Sequence, residues 1–261
     1  MITIQNYVRA QSIEEAWELN QNRRNRILGG MMWLRLGSGS VGTAIDLCDL
    51  GLGTIEETDE EFIIGATATL RDIEKHEGLN NYFNGAIAEA VKSIVGVQFR
   101  NMATVGGSIW GRFGFSDVLT VFQALDSYVE LYKGGIVPLE QFATMKMDND
   151  ILLRLIVKKT PVKVVYKHVR NQSTDFPVLA CALSCTDGQY RLSVGARPAK
   201  AILVRDDNGI LAQGLTEESI KAFAEYAAQA VPTRGNVRGS AEYRTHLIKV
   251  LTTRCLQELE V

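Results

Sequence analysis

The spacing of apolar and polar positions predicts alternating helices and strands over the first 150 residues. Ser12 and Glu15 form a capping box, which predicts a helix that runs from there to about Asn20. Between residues 82 and 94, apolar residues recur at steps of three and four and stop at Gly96, a pattern typical of one amphipathic helix. Short apolar runs and a Ser-Asp cap predict strands at 44–47, 61–64 and 128–132 and a helix at 117–124.

The pattern changes after the polar segment at residues 145–150, which we interpret as a domain boundary. Beyond it, apolar runs follow one another closely, and Asp187-Gly188 is typical of the tight turn between two antiparallel strands. These runs predict strands at 151–157, 162–169, 178–185 and 190–194, followed by helices at 217–230 and 241–259.

Composition and charge narrow the classes of function. The chain has 261 residues, 46% of them hydrophobic, which suffices for a core in more than one lobe. The formal net charge is −2 and no basic block occurs, so we expect neither nucleic acid nor a membrane surface as a partner. No apolar run reaches the roughly 18 residues of a transmembrane helix. Charged residues near the N-terminus argue against a signal peptide, and we therefore expect a cytoplasmic protein.

The cysteines and histidines do not have the spacing of a metal site. No C-x-x-C pair occurs among Cys48, Cys181, Cys185 and Cys255, and the three histidines are scattered along the chain. We expect buried free thiols and no metal bound by this chain.

Two glycine pairs are the strongest candidates for chemistry. Gly29-Gly30 and Gly106-Gly107 each follow a short apolar approach, and Thr104 and Ser108 beside the second pair offer hydroxyl groups. Glycine lets backbone amides approach a phosphate closely, and successive amides that converge bind anions. Two such loops can hold a pyrophosphate from two sides, which indicates a dinucleotide cofactor. The alternative is that each pair is only a turn, as most Gly-Gly pairs are.

Several segments carry a resemblance to a known family. Residues 99–109, with Ser116-Asp117 after them, resemble the central FAD-binding motif of the molybdenum hydroxylase flavoproteins, the medium subunits of xanthine dehydrogenase, CO dehydrogenase and related enzymes. Residues 26–34 are similar to the family's first glycine loop, and Tyr166-Lys167 and residues 238–244 match two later segments. The matches follow the family's order over nearly the whole chain.

The resemblance implies an α+β fold with three parts. These are a two-lobed FAD-binding fold of the vanillyl-alcohol-oxidase type and a C-terminal α+β domain of the CO dehydrogenase flavoprotein type. The expected domains are lobe 1 at residues 1–54, lobe 2 at 55–150 and the C-terminal flavoprotein domain at 151–261.

The resemblance also implies the contacts to FAD. The glycine pairs would wrap the pyrophosphate, Thr104, Ser108 and Asp117 would hydrogen-bond the cofactor, and Lys167 would lie near the flavin ring. Asp117 can instead be read as an acid favoured by the helix dipole, and Lys167 as a solvent-facing strand residue. The full set of expected cofactor-binding residues is Leu28, Gly29, Gly30, Met31, Met32, Thr104, Gly106, Gly107, Ser108, Gly111, Asp117 and Lys167, with no catalytic acid or base among them.

The chain departs from the family pattern in its first loop. Met31-Met32 stand where the family has Thr-Asp, which removes a hydroxyl and a carboxylate, and Ser108 replaces an Asn. Lost side-chain hydrogen bonds at about 0.5–1.5 kcal/mol each would weaken FAD binding by about tenfold or more.

The function that the resemblance implies is electron transfer. Electrons would pass from the iron–sulfur clusters of a partner subunit through FAD to NAD or another acceptor, and a molybdopterin-binding large subunit would oxidise the substrate. We therefore expect a subunit of an FAD-dependent oxidoreductase that is active in the complex. Two alternatives remain open, a non-catalytic assembly subunit with weakened FAD binding and a free-standing flavin oxidoreductase.

Overall fold

A computed structural model describes residues 1–260, and their contacts divide the chain into two compact units. The segments of the two units alternate along the chain. The first unit contains Met1–Ile73, Val97–Gly111 and Ser127–Val157, and the second contains Glu74–Gly96, Arg112–Asp126 and the chain from Lys158 onward.

The helices and strands alternate in much of the chain. The strands are β1 (Thr3–Arg9), β2 (Arg26–Leu28), β3 (Ser40–Asp46), β4 (Ile55–Glu57), β5 (Glu61–Gly65), β6 (Ser127–Leu131), β7 (Gly135–Pro138), β8 (Leu152–Lys158), β9 (Lys163–Arg170), β10 (Pro177–Thr186), β11 (Gln189–Gly195) and β12 (Ile202–Arg205). The helices are α1 (Ile13–Asn20), α2 (Leu70–Lys75), α3 (Glu77–Tyr82), α4 (Ala86–Lys92), α5 (Val97–Arg100), α6 (Val105–Trp110), α7 (Asp117–Ala124), α8 (Leu139–Thr144), α9 (Glu217–Ala230) and α10 (Ala241–Glu260).

The first unit contains a small parallel sheet that leads directly into the first glycine pair. Its strand order is β1-β3-β2, and both outer strands run parallel to β3. The crossover from β1 to β2 is α1, whose N-terminus is capped by the Ser12 hydroxyl, which accepts a hydrogen bond from the Glu15 amide at 3.1 Å. The predicted Ser12 cap is therefore confirmed, whereas the second half of the predicted capping box is wrong, because the Glu15 carboxylate accepts from the Gln11 amide at 2.7 Å and not from the Ser12 amide. Strand β2 ends immediately before Gly29.

A second sheet of the first unit has the order β4-β5-β8-β6-β7. The change of sequence pattern after Asp150 marks the entry into β8, which pairs antiparallel with β6 and lies in the middle of this sheet. Residues 151–157, with which we expected the C-terminal domain to begin, thus lie in the first unit. They do so because β8 is hydrogen-bonded to β5 on one side and to β6 on the other.

The second unit is built on the antiparallel sheet β12-β11-β10-β9. Helices α9 and α10 cover one face with a core that includes Phe223, Ile248 and Leu251. Helices α4 and α7 contact the sheet as well, through β9, β10 and β11. The turn at Asp187-Gly188 is confirmed, since both residues have positive φ, at 48° and 76°, as a type I′ turn requires.

The helix predicted between residues 82 and 94 is confirmed over Ala86–Lys92, but its predicted start at residue 82 is wrong. The structure has two short helices, α3 and α4, separated by Asn84 and Gly85 with φ of 52° and 73°. The Gly85 amide donates to the Asn80 carbonyl at 2.7 Å, which ends the first helix in a left-handed turn. Apolar periodicity continues across this break, whereas the Asn-Gly dipeptide is the signal that marks it.

The expectation of buried thiols holds for Cys181 and Cys255, whereas Cys48 is exposed and Cys185 is half-buried. Among residues 1–260, no helix has the length and apolar character needed to cross a membrane. In the same residues, no group of three or more His, Cys, Asp or Glu side chains is arranged to hold a metal ion.

Candidate functional site

The first glycine loop approaches the second loop so closely that glycine is required. A Cβ atom on Gly30 would overlap the carbonyl oxygen of Met102, and one on Gly29 would lie 2.7 Å from the Thr104 hydroxyl. The absence of side chains therefore allows the two loops to be in contact. Within the first loop, Met31 is in the left-handed region, with φ of 57°.

The amides of the first loop are available to a ligand. The N–H groups of Gly29, Gly30, Met31 and Met32 donate no hydrogen bond to any residue within 1–260. Successive unsatisfied amides in a turn conformation, here with a left-handed residue among them, form an anion-binding concavity. This loop therefore has the donors that a phosphate group requires, whatever its side chains are.

The second glycine loop has a different arrangement, because its amides are already bonded. The first four amides of α6 donate from Val105 to Ala68 O at 2.8 Å, from Gly106 to Ala66 O at 2.8 Å, from Gly107 to Thr104 Oγ1 at 3.2 Å, and from Ser108 to Thr104 O at 3.1 Å. A Cβ on Gly106 would lie only 2.6 Å from the Ala66 carbonyl oxygen. The structure thus gives Gly106 a role in packing and gives Thr104 a role as the helix cap.

A cleft of about 930 Å³ lies in the first unit beside these loops. Of the expected cofactor-binding residues, those that line it are Leu28, Gly29, Thr104, Gly106 and Gly107. Gly30, Met31 and Met32 of the first loop, Ser108 of α6 and the C-cap residue Gly111 are outside the lining of the cleft. Its size is within the range of cofactor pockets.

Sequence reasoning missed two polar walls of this cleft. One is formed by the segment 20–26 except Arg24, and the other by 146–152, which overlaps the polar segment that the sequence indicated as a domain boundary. Asn20 Nδ2 and Gln21 Nε2 both donate to the Asn149 carbonyl, at 2.8 and 3.2 Å, and so join the walls. The Asp150 carboxylate is buried and accepts bonds from the amides of Lys133, Gly134 and Ile151.

In the second unit, Asp117 is held by partners of its own unit. It is the first residue of α7, after the capping hydroxyl of Ser116, and its carboxylate accepts from the Tyr166 hydroxyl and pairs with Arg170 at 2.8 Å. All three side chains are buried. Burial raises the pKa of Asp117, and the Arg170 guanidinium opposes that rise.

The alternation of side chains along β9 separates Lys167 from Asp117. Tyr166 and Arg170 point to the face that carries Asp117, whereas Lys167 points to the other face and pairs with Glu258 of α10. The structure therefore does not bring together these two residues, which were both expected at the flavin.

His168 lies on the same face of β9 as Tyr166, with the two ring centres 6.0 Å apart. Its Nδ1 atom is buried and has no hydrogen-bond partner among the described residues. Burial, with a further contribution from the Arg170 charge, lowers the pKa of His168 to about 4, so the imidazole is neutral at pH 7.

Two family models together match almost the whole chain. The FAD binding domain in molybdopterin dehydrogenase matches residues 2–160, and the CO dehydrogenase flavoprotein C-terminal domain matches residues 164–259. The fold expected from the resemblance, an FAD-binding part followed by a C-terminal flavoprotein domain, is confirmed.

Curated relatives extend over most of the chain. The glyceraldehyde dehydrogenase medium chain of Sulfolobus acidocaldarius is 25% identical over 97% of this chain and 97% of its own. The xanthine dehydrogenase FAD-binding subunit of Escherichia coli O157:H7 is 28% identical over 66% of this chain and 65% of its own.

Solved structures share the fold. A chain of the carbon monoxide dehydrogenase from Hydrogenophaga pseudoflava superposes with a TM-score of 0.83 at 22% identity, covering 97% of this chain and 96% of that chain. A chain of quinoline 2-oxidoreductase from Pseudomonas putida 86 gives a TM-score of 0.85 at 18% identity, with the same two coverages.

Replacement of Gly106 by alanine tests its packing role. Because the added Cβ meets the Ala66 backbone, we expect Gly106→Ala to lower the free energy of unfolding by about 1–3 kcal/mol or more. Gly39→Ala is the matched control, since a Cβ there meets nothing within 4 Å. Urea unfolding of both variants measures the difference, and equal stabilities would contradict the packing role.

His168 predicts a pH dependence of stability. The unfolded imidazole titrates near 6.5 and the folded one at about 4, so between these values the unfolded chain binds the extra proton. Stability should therefore fall as the pH drops from about 6.5 towards 4, and His168→Gln should lose this part of the fall. Parallel stability curves of the two proteins over this window would show that the burial of His168 has no such effect.

Proposed function

The chain belongs to the family of FAD-binding domains found in molybdopterin dehydrogenases, and we propose that it transfers electrons from the iron–sulfur clusters of a partner subunit, through FAD, to NAD or another acceptor. It is an FAD-binding medium subunit of the molybdenum hydroxylase type. FAD supplies the redox chemistry, because its ring accepts and releases electrons. The chain's own residues hold and orient the cofactor.

The unsatisfied amides of Gly29 to Met32 beside the cleft are the observation that carries the proposal. They offer the donors that a pyrophosphate requires, and the first residue of this loop, Gly29, lines a cleft of about 930 Å³. Leu28, Thr104 and Gly107 line the same cleft and would contact the cofactor there. The residues present therefore fit FAD.

The Met31-Met32 substitution does not argue for an assembly subunit without FAD. In the structure these two residues contribute backbone amides, which any side chain leaves in place. The loss of a hydroxyl and a carboxylate therefore removes side-chain hydrogen bonds but keeps the anion-binding donors.

The buried carboxylate of the cleft, Asp150, supports electron transfer over an acid–base reaction by this carboxylate. The Asp150 carboxylate is occupied by three backbone amides, and it is buried. A general base has to reach a proton of the substrate, whereas the oxygens of this carboxylate already accept hydrogen bonds from backbone amides. The proposal accordingly assigns substrate oxidation to a partner chain.

Purification of the native complex tests the partners. Because the chain resembles proteins named as subunits or medium chains, we expect an iron–sulfur chain and a large molybdopterin-binding chain to co-purify with it. Mass spectrometry of the affinity-purified assembly identifies them, with a preparation from cells that lack the tagged chain as the control. Isolation of the chain alone, with full substrate oxidation by its own flavin, would contradict the proposal.

Lys167→Met tests the expected contact between this residue and the flavin. Because the ammonium is partly exposed and already paired with Glu258, we expect the midpoint potential of the flavin to fall by less than about 20 mV, or about 1 kcal/mol for a two-electron couple. Lys163→Met, on the same face of β9, is the control. A fall of about 40 mV or more in Lys167→Met alone would place the ammonium at the flavin ring.

A further inference from the structure

The cleft of the first unit carries positive charge on both walls. Arg23 and Arg26 lie on one wall and Lys146 on the other. The side chains of Arg23 and Lys146 are exposed, and neither forms a hydrogen bond or an ion pair with any residue in the described part of the chain. Two cations without partners therefore line the same cleft as Gly29, the first residue of the loop whose amides are unsatisfied.

The carboxylates of the cleft do not cancel these cations. The Asp150 carboxylate is buried and bonded to backbone amides of Lys133, Gly134 and Ile151. Asp148 Oδ1 accepts from the Asp150 amide at 3.1 Å. Three basic and two acidic side chains line the cleft, so its net charge is positive.

Arg23 is presented from a turn that is held in place. Buried Asn25 joins this turn to its neighbours, because its Nδ2 donates to the Leu19 carbonyl at 2.8 Å and its Oδ1 accepts from the Thr43 amide at 2.9 Å. Arg26 Nη1 donates to the carbonyls of Arg23 and Asn25, both at 2.6 Å. Arg26 thus acts as a positioning residue, while the Arg23 guanidinium stays available.

We propose that this cleft binds the adenosine diphosphate half of the cofactor independently of the flavin, with Arg23 and Lys146 neutralising the two phosphates next to the free amides of Gly29 to Met32. The inference rests on the proposed function and assigns the charge that the loop's own side chains do not provide. Guanidinium and ammonium groups form charge-assisted hydrogen bonds with phosphate oxygens. The positive side chains therefore compensate for the apolar Met31 and Met32.

Arg24 provides a matched control within the same turn. It carries the same charge and is exposed, but it does not line the cleft. Its carbonyl accepts from the Gly42 amide at 2.7 Å, an interaction that substitution of the side chain leaves intact. Any effect of net charge alone should appear equally in Arg24→Gln and Arg23→Gln.

The experiment compares FAD, ADP and riboflavin as ligands of the full chain. We expect ADP to bind the wild type and to compete with FAD. In Arg23→Gln and Lys146→Gln, the Kd values for FAD and ADP should rise by about tenfold, whereas the Kd for riboflavin should not change. Arg24→Gln should match the wild type, and Arg23→Lys should retain most of the affinity. The dependence of the FAD Kd on salt should be weaker in Arg23→Gln than in the wild type.

The outcomes separate the inference from the proposed function. If the wild type binds FAD but the Kd is unchanged in both Gln variants, or rises equally in Arg24→Gln, the phosphate assignment is overturned and the function stands. If ADP does not bind the wild type while FAD does, the independence of the ADP half is overturned. If ADP binds and FAD does not, the proposed function is overturned and the phosphate site stands.

Discussion

The first unit depends on contacts between backbones that only glycine permits. At Gly30 and Gly106, the space that a Cβ would need is taken by the carbonyl groups of Met102 and Ala66. Peptide groups thus set the separation of the two loops, and α6 is bonded to the segment after β5 through the amides of Val105 and Gly106. The second loop uses its hydrogen bonds to hold this contact, and the first loop keeps its own amides free. The donors that the cleft can offer to an anion therefore come from the first loop.

Local features of the fold were predictable from the sequence because their causes are local. The caps at Ser12 and Ser116 and the turn at Asp187-Gly188 each depend on residues within one turn of chain. The break at Asn84-Gly85 was also local, but the apolar periodicity around it is that of one continuous helix. The order of motifs along the chain predicted the fold itself, since the resemblance extends over both parts.

The sequence does not predict that the amides of the first glycine pair are free while those of the second pair are bonded. Whether an amide is free depends on acceptors supplied from elsewhere, here the carbonyls of Ala66 and Ala68 about forty residues before α6. The same applies to Asp117 and Lys167, whose partners Arg170 and Glu258 come from other elements. A sequence motif shows which residue types are present, whereas burial and pairing are properties of the assembled unit.

The position of β8 has a consequence for synthesis on the ribosome. This strand lies between β5 and β6, yet it begins at Leu152, whereas β5 ends at Gly65. At about 5–20 residues per second, the edge of β5 waits several seconds for its partner while the alternating segments of both units emerge. An unpaired strand edge is a template for wrong pairing with other chains. The nascent polypeptide is therefore most exposed to aggregation in this interval, when chaperone protection of β5 would have its greatest effect.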